Sequence, residues 1–122
     1  MTTVKEAMTQ GAVTCSLDTS LEDAARQMRD SGVGSLIACE HGALKGIITD
    51  RDIVVRAIAE GAAPREATVG DVCTHDVATI GPADPVDRAI ELAGKRHVRR
   101  LPVVENGEPI GVVSMRDLAG AA

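Results

Sequence analysis

An internal duplication constrains this chain more than any other feature of its sequence. The stretch GIITDRDI, residues 46–53, returns as GVVSMRDL at residues 111–118. The same shift of 65 residues, without a gap, also superimposes Val33 on Val98 and Gly42 on Gly107. A sequence that repeats at one fixed spacing predicts two copies of one folding unit, which bury a core by packing together.

Each copy predicts a β-α-β-β-α unit behind a short lead-in helix, so the fold class is α/β. Capping boxes, Thr3 with Glu6 and Thr68 with Asp71, predict the starts of the lead-in helices. The first copy then predicts a strand, a helix, two strands and a helix at Ala12–Cys15, from Thr19, at Ser35–Cys39, at Lys45–Thr49 and at Asp50–Glu60. The second predicts the same at Val77–Ile80, from Asp84, at Leu101–Val104, at Pro109–Ser114 and from Met115.

Turns and apolar stripes support these elements. His41–Gly42 and Asn106–Gly107 separate apolar runs and predict two hairpins. The helix from Thr19 carries apolar residues at helical spacing, which predicts a core-facing stripe of Leu21, Ala24, Ala25 and Met28. We therefore divide the chain into repeat 1 at residues 1–60, a linker at 61–67 and repeat 2 at 68–122, the two repeats forming one domain.

Composition excludes several classes of function. The net charge is −5 and the chain lacks Phe, Tyr and Trp, so nucleic-acid binding is not expected. The sequence contains neither an apolar run of membrane-spanning length nor an export leader, so no membrane association is expected. Three cysteines form no disulfide framework, which favours a cytoplasmic location. No Cys/His arrangement suggests a catalytic triad, and we expect no enzymatic activity.

The duplicated motif places Thr49-x-x-Asp52 and Ser114-x-x-Asp117 where a strand runs into a helix. Free backbone N–H groups and the positive end of the helix dipole at such a corner suit an anionic or polyhydroxyl ligand. The same spacing also fits a helix capping box that satisfies the helix alone. Both roles remain open from the residues, and one does not exclude the other.

With these residues in place, the chain resembles a pair of CBS domains, also known as a Bateman module. The match rests on HVRRLPVV at residues 97–104, on the two motifs at 46–53 and 111–118, and on the order of elements. It covers about residues 4–119, so the chain looks like a stand-alone CBS protein similar to small bacterial stress or signalling proteins. The resemblance implies two repeats packed as a pseudo-two-fold pair, often assembled as a homodimer.

The resemblance also implies a regulatory ligand in the clefts between the repeats, with no cofactor required. The ligand would be an adenosyl nucleotide such as AMP, ADP, ATP or S-adenosylmethionine, and it would signal to a regulated protein of unknown identity. Asp52 and Asp117 would accept from the ribose hydroxyls, and Arg99 would contact phosphate. The full set of ligand-binding residues implied is Thr14, Val33, Leu36, Ile37, Thr49, Asp52, Thr79, Val98, Arg99, Leu101, Pro102, Ser114, Arg116 and Asp117.

The two copies differ in charge near the motif. Repeat 2 has Arg99 and Arg100 where repeat 1 has Gly34 and Ser35. If only one site binds, we expect it at Ser114 and Asp117. The cations of residues 95–100 also fit helix capping at a C-terminus, and less well a nucleic-acid patch.

Cys15 and Cys39 end two strands of repeat 1 that would be neighbours in the sheet. They could form a disulfide, share a metal, or pack as small apolar side chains, which is the commonest role in the cytosol. The alternative to a nucleotide sensor is therefore a ligand-free stress protein that acts through these thiols or through protein contacts.

Overall fold

The computed structural model describes residues 2–121, and these form two compact units. The first-repeat unit is Val13–Asp76. The second-repeat unit combines residues 2–12 with residues 77–121. The predicted boundaries at 60, 61–67 and 68 divide the sequence, whereas the compact units exchange the segments that lead into each repeat. Met1 and Ala122, the predicted outer limits, lie outside the described residues.

The first-repeat unit is a sheet with helices. The elements are β2 (Thr14–Cys15), α2 (Leu21–Ser31), β3 (Ser35–Glu40), β4 (Ala43–Thr49), α3 (Asp50–Asp52), a π-helical segment (Ile53–Ile58) and α4 (Val69–Val72). The sheet has the order β2-β3-β4, with β2 parallel to β3 and β3 antiparallel to β4.

The second-repeat unit follows the same plan. The elements are α1 (Val4–Ala7), β1 (Thr9–Gln10), α5 (Val86–Arg96), β5 (Arg100–Glu105), β6 (Glu108–Ser114) and α6 (Met115–Ala121). The sheet has the order β1-β6-β5, and Ile80 adds a single parallel bridge to Val103 at the β5 edge. The structure thus confirms an α/β fold built from two repeats.

The exchanged lead-in segments explain a glycine in each duplicated motif. Residues after α4 bond to β4, where the N–H of Ile47 donates to the carbonyl of Thr74 at 3.0 Å. A Cβ at Gly46 would lie 2.8 Å from the Cys73 sulfur, and one at Gly111 would lie 2.6 Å from the Thr9 carbonyl oxygen. Only glycine leaves room for these crossings, so both glycines serve packing.

The predicted N-caps Thr3 and Thr68 are confirmed, whereas those of α2 and α5 lie one residue after the predicted positions. Ser20, not Thr19, is the N-cap of α2, and its hydroxyl accepts from the N–H of Asp23 at 3.1 Å. The helix predicted from Asp84 instead has Pro85 as its N-cap, and the Asp84 carboxylate accepts from the Gly81 N–H at 2.8 Å. Three consecutive polar residues, 18–20, precede α2, so the local pattern there leaves the first turn ambiguous by one position.

Four other predictions need correction. The strand predicted at Ala12–Cys15 is limited to Thr14–Cys15, and the one at Val77–Ile80 to the bridge at Ile80. Ala25 is exposed, because the buried stripe of α2 is narrower than the sequence pattern. The helix predicted over Asp50–Glu60 becomes π-helical from Ile53, with the N–H of Ala59 donating to the carbonyl of Val54 at 2.9 Å.

Both hairpins form where the sequence predicts them. His41 and Asn106 adopt φ values of 52° and 54°, and the glycine after each has φ near 80°. Positive φ at both central residues is the turn geometry that matches the twist of paired strands. The two aliphatic cores are centred on Leu21, Leu36 and Ile48 in one unit and on Leu101, Val113 and Leu118 in the other.

Candidate functional site

The Ser114–Asp117 corner lies where β6 ends and α6 begins. The N–H of Ser114 donates to Asp117 Oδ2 at 3.0 Å, and the N–H of Asp117 donates to Ser114 Oγ at 3.1 Å. This is a reciprocal capping box, so the capping role that the sequence left open is present. Asp117 Oδ1 has no hydrogen bond or ion pair to any described residue. One carboxylate oxygen therefore holds the helix start while the other remains available to a ligand.

The Thr49–Asp52 corner repeats this geometry in the first-repeat unit. The N–H of Thr49 donates to Asp52 Oδ2 at 2.9 Å, and the N–H of Asp52 donates to Thr49 Oγ1 at 3.1 Å. Here the second oxygen has a neighbour, since Arg56 Nη1 lies 4.0 Å from Asp52 Oδ1. The equivalent position in repeat 2 is Ala121. Of the two carboxylates, that of Asp52 is the one with a competing cation.

In both units, the residue just before the first strand of the hairpin accepts a backbone hydrogen bond from the first residue of the helix at the corner. The N–H of Met115 donates to the carbonyl of Arg99 at 2.8 Å, and the N–H of Asp50 donates to the carbonyl of Gly34 at 3.0 Å. Arg100 pairs with Ser114 across the sheet. The predicted phosphate-contacting Arg99 therefore lies beside the Ser114–Asp117 corner, whereas glycine occupies this place at the other corner.

The remaining predicted ligand-binding residues differ in exposure. Leu36, Ile37, Leu101 and Pro102 are fully buried. Val33 and Val98 are half-buried and lie next to the segment that carries Gly34 or Arg99. Arg116 is exposed on the first turn of α6. These positions frame the corners, and contact with an adenine ring remains a prediction.

Thr14 and Thr79 lie at sheet edges, in β2 and in the segment that ends at Ile80, and both are exposed. They differ in one hydrogen bond that sequence reasoning missed. Gln27 Nε2, on α2, donates to the Thr14 carbonyl at 3.2 Å. The shift of 65 residues places Leu92 at the position of Gln27. That substitution is the signal from which the difference between the two edges could have been found.

The thiols all belong to the first-repeat unit. Cys15 lies opposite Ala38 in the sheet, one residue from Cys39, and all three cysteines are free. Burial, followed by the nearby thiols of Cys39 and Cys73, raises the pKa of Cys15 to about 11. Burial also raises the pKa of Cys39. Among residues 2–121, no group of three or more His, Cys, Asp or Glu side chains could hold a metal.

Comparison with known proteins identifies the repeats. The family model described as the CBS domain matches residues 4–58 and again residues 69–122. The chain belongs to the CBS-domain family. The CBS domain-containing protein YhcV of Bacillus subtilis (strain 168) is 34% identical over 119 residues, which are 98% of this chain and 84% of YhcV.

Two solved CBS proteins extend the comparison. The crystal structure of Hypoxic Response Protein I with two coordinated zinc ions has a TM-score of 0.86 and 29% identity, and the match covers all of both chains. The CBS domain pair of protein MJ0100, in complex with 5-methylthioadenosine and S-adenosyl-L-methionine, has a TM-score of 0.89 and 28% identity. That match covers 99% of this chain and 95% of the MJ0100 chain. Within residues 2–121, no helix has the length and apolar character needed to cross a bilayer.

Proposed function

We propose that this CBS pair is a regulatory sensor that binds an adenosyl nucleotide, with the Ser114–Asp117 corner as the stronger site. The observation that carries the proposal is the free Oδ1 of Asp117, beside a helix start whose capping hydrogen bonds are already complete. A carboxylate oxygen with open lone pairs accepts hydroxyl donors strongly, because hydrogen bonds to charged groups contribute more than neutral ones. The adenosyl ligands of MJ0100 support the ligand class.

The parts of the nucleotide correspond to different residues at this corner. The ribose diol would donate to Asp117 Oδ1, and Ser114 would contribute its hydroxyl. Arg99, tied by its carbonyl to the N–H of Met115, would place a planar guanidinium near phosphate or carboxylate oxygens. The Thr49–Asp52 corner offers the same diol acceptor but lacks that arginine and has Arg56 close to its carboxylate.

Calorimetric titration of the native protein with AMP, ATP and S-adenosylmethionine tests this proposal, with Asp117→Asn measured alongside. Asparagine can keep the cap through its carbonyl oxygen while its NH₂ group replaces the diol-accepting oxygen. We expect saturable binding to the native protein and a loss of affinity of at least about tenfold in the variant. An absence of heat with all three ligands, in protein shown to be folded, would refute the nucleotide function.

Assembly as a homodimer is the second part of the proposal. Val54, Val55 and Ile58 project from the π-helical segment with 59%, 48% and 48% of their surface exposed. Clustered apolar side chains on a surface are typical of protein interfaces. At the positions equivalent to Val54 and Val55, repeat 2 has Ala119 and Gly120.

Light scattering across a concentration series tests the dimer. Val54→Lys is expected to weaken dimerisation by at least about tenfold, because a lysine at an apolar interface must be desolvated. Ala119→Lys, at the equivalent position of repeat 2, is the matched control and should leave the dimer unchanged. A native protein that stays monomeric at all concentrations would contradict this part.

Signalling requires that the bound and free states differ for some partner. A ligand shifts an equilibrium between two conformations only by its difference in affinity for them. The proposed regulated protein, in the cytoplasm, would therefore bind the occupied and empty sensor with different affinities.

A thiol or metal function is the alternative, favoured by the zinc ions of Hypoxic Response Protein I. In this chain, Cys15 and Cys39 would be the first ligands. Burial raises the pKa of both thiols, so zinc, which binds the thiolate, would have to displace a proton from each of them. Metal analysis of native protein and of Cys15→Ser decides between them: stoichiometric zinc that is lost in the variant would favour the alternative, and its absence would disfavour it.

A further inference from the structure

A groove runs along the outer edge of the second-repeat unit, at the end of the strands away from the Ser114–Asp117 corner. Its volume is about 580 Å³. One wall is the strand-like segment 79–81, the other is α5, and the hairpin turn Asn106–Gly107 closes one end. The face of α5 that lines it carries Arg88, Glu91, Leu92 and Lys95.

The strand wall offers an unused backbone donor and acceptor. The N–H of Ile80 donates to Pro102 at 3.1 Å, and its carbonyl accepts from the N–H of Val104 at 2.9 Å. Adjacent residues of an extended strand direct their N–H and C=O groups to opposite sides, so those of Thr79 point away from the sheet. They have no hydrogen-bond partner among the described residues. A further strand could use both groups.

In the first-repeat unit, the backbone carbonyl at the equivalent sheet edge already accepts a hydrogen bond. There, Gln27 on α2 donates to the carbonyl of Thr14, the residue equivalent to Thr79, at 3.2 Å. Leu92 replaces Gln27 in α5 and has no polar atom with which to make this bond. The edge at Thr79 therefore stays open.

Charges on the α5 wall have a spacing that matches an extended chain. Glu91 and Lys95 are exposed, and neither forms an ion pair within 4.0 Å with a described residue. Four residues along a helix rise by about 6 Å. Side chains two residues apart on one face of a strand are separated by about 6.6 Å. A basic and an acidic side chain at positions i and i+2 of a strand could therefore pair with Glu91 and Lys95.

We propose that this groove binds an extended segment of a partner protein, which adds a strand at Thr79. The segment carries a lysine or arginine and an acidic residue two positions apart, facing α5. Backbone hydrogen bonds supply the affinity, and the charge pair supplies the selectivity. Thr79, which the resemblance assigns to the ligand-binding set, lines this groove, but no residue of the Ser114–Asp117 corner does.

The test is an NMR titration of the ¹⁵N-labelled full chain with the capped peptide Ac-SVKTEVS-NH₂ and with its neutral counterpart Ac-SVQTQVS-NH₂. We expect saturable shifts at the amides of Thr79, Ile80 and Lys95, with a dissociation constant below about 1 mM. The neutral peptide should bind about fivefold more weakly. An absence of shifts, shifts confined to other residues, or equal affinity for both peptides would overturn the proposal.

Variants separate the groove from general effects of folding. Leu92→Gln should copy the Gln27 bond, occupy the Thr79 carbonyl and weaken the charged peptide about tenfold. Gln27→Leu is the matched control in the other repeat and should leave binding at Thr79 unchanged. Because Leu92 is partly buried, Lys95→Gln, at an exposed position, provides a second variant, which should reduce the preference for the charged peptide by removing one of its two charge pairs.

Two further results would overturn the proposal, and the first would also assign the groove to another occupant. The first is a shift at Thr79 that depends on protein concentration without peptide and disappears in Leu92→Gln, which would show a second copy of this chain. The second is unaltered peptide affinity in both Leu92→Gln and Lys95→Gln, each confirmed as folded by its unfolding transition.

Discussion

The Thr49–Asp52 and Ser114–Asp117 corners have the same hydrogen bonds but different surroundings. In both, the backbone N–H of serine or threonine donates to the aspartate carboxylate and the aspartate N–H donates to the hydroxyl, at 2.9–3.1 Å. Around Asp52 lie Arg56 and the backbone of Gly34, whereas beside Asp117 lies Arg99. The need to cap the helix start accounts for the motif in both repeats, and the neighbouring side chains determine which carboxylate is available to a ligand.

The two sheet edges also share a position in the fold and differ in one neighbouring side chain. Thr14 and Thr79 occupy equivalent positions, but a single change from Gln27 to Leu92 leaves one edge bonded and the other open. Duplication thus provides two copies of a scaffold, and a few side chains give the copies different surroundings. Four sets of variants test this comparison, from the scaffold that the repeats share to the features that distinguish them.

The largest effect is expected from filling the strand crossings. Gly111→Ala and Gly46→Ala should each lower the free energy of unfolding by about 3 kcal/mol, because each Cβ would lie within 2.9 Å of a backbone carbonyl oxygen. Urea unfolding measures both. Gly94→Ala is the control, since a Cβ there meets no atom within 4 Å. A change below about 0.5 kcal/mol at one crossing would show that the two repeats are not equivalent scaffolds.

The second-largest effect is expected from exchanging the residues beside the two corners, Arg99 and Gly34. Arg99→Gly is expected to weaken ATP binding about tenfold, because it removes the cation next to the Ser114–Asp117 corner. Gly34→Arg should strengthen binding at the other corner, since Gly34 has a negative φ that arginine can adopt. Adenosine, which lacks phosphate, is the control ligand and should bind both variants as it binds native protein. Equal losses for ATP and adenosine would remove the role assigned to Arg99.

The helix caps give a smaller difference between the repeats. Ser20→Ala should cost about 1 kcal/mol of unfolding free energy, because the Asp23 N–H loses its acceptor. The equivalent N-cap of α5 is Pro85, which has no hydroxyl to lose. Thr19→Ala is the local control and should cost less than Ser20→Ala. A larger cost for Thr19→Ala would restore the cap that the sequence predicts.

The smallest effect is a pH dependence confined to the repeat with thiols. The folded state raises the pKa of Cys15 from 9.0 to about 11, so it binds the proton more tightly than the unfolded chain does. Stability should therefore fall as pH rises from 9 towards 11. Solvent screening of this half-buried thiol keeps the loss below about 1 kcal/mol. Urea unfolding at both pH values measures it, and the slope should be smaller in Cys15→Ser than in the native protein.

Periodicity and the duplication predicted the elements of this fold because both reflect the burial of aliphatic side chains. The hairpins were predictable at His41 and Asn106, since their turn geometry depends on two adjacent residues. The exchange of lead-in segments was not, because it depends on contacts distant in sequence. The shift to Ser20 was not, because neighbouring polar residues can each cap α2, and the π-helical segment was not predicted either. Gly46 and Gly111 illustrate this limit: the motif contains them, but only the crossing strands explain them.

The geometry of the candidate site was predictable to a similar degree. The duplicated spacing predicted the corners at Thr49–Asp52 and Ser114–Asp117 together with their capping role, which the structure confirms. Their role in ligand binding stays a prediction. The sequence could not show that each aspartate uses one oxygen for the cap, nor that Arg56 lies near Asp52. Those facts depend on side-chain geometry, which determines how many oxygens remain for a ligand.

The central claim is that Asp117 contributes more to nucleotide binding than Asp52. The most direct test is a calorimetric comparison of Asp117→Asn with Asp52→Asn, using the nucleotide that binds the native protein most tightly. Both variants keep the capping acceptor, and thermal unfolding should confirm that both are folded. We predict a loss of at least about tenfold for Asp117→Asn and less than about threefold for Asp52→Asn. Equal losses, or a greater loss for Asp52→Asn, would contradict the account.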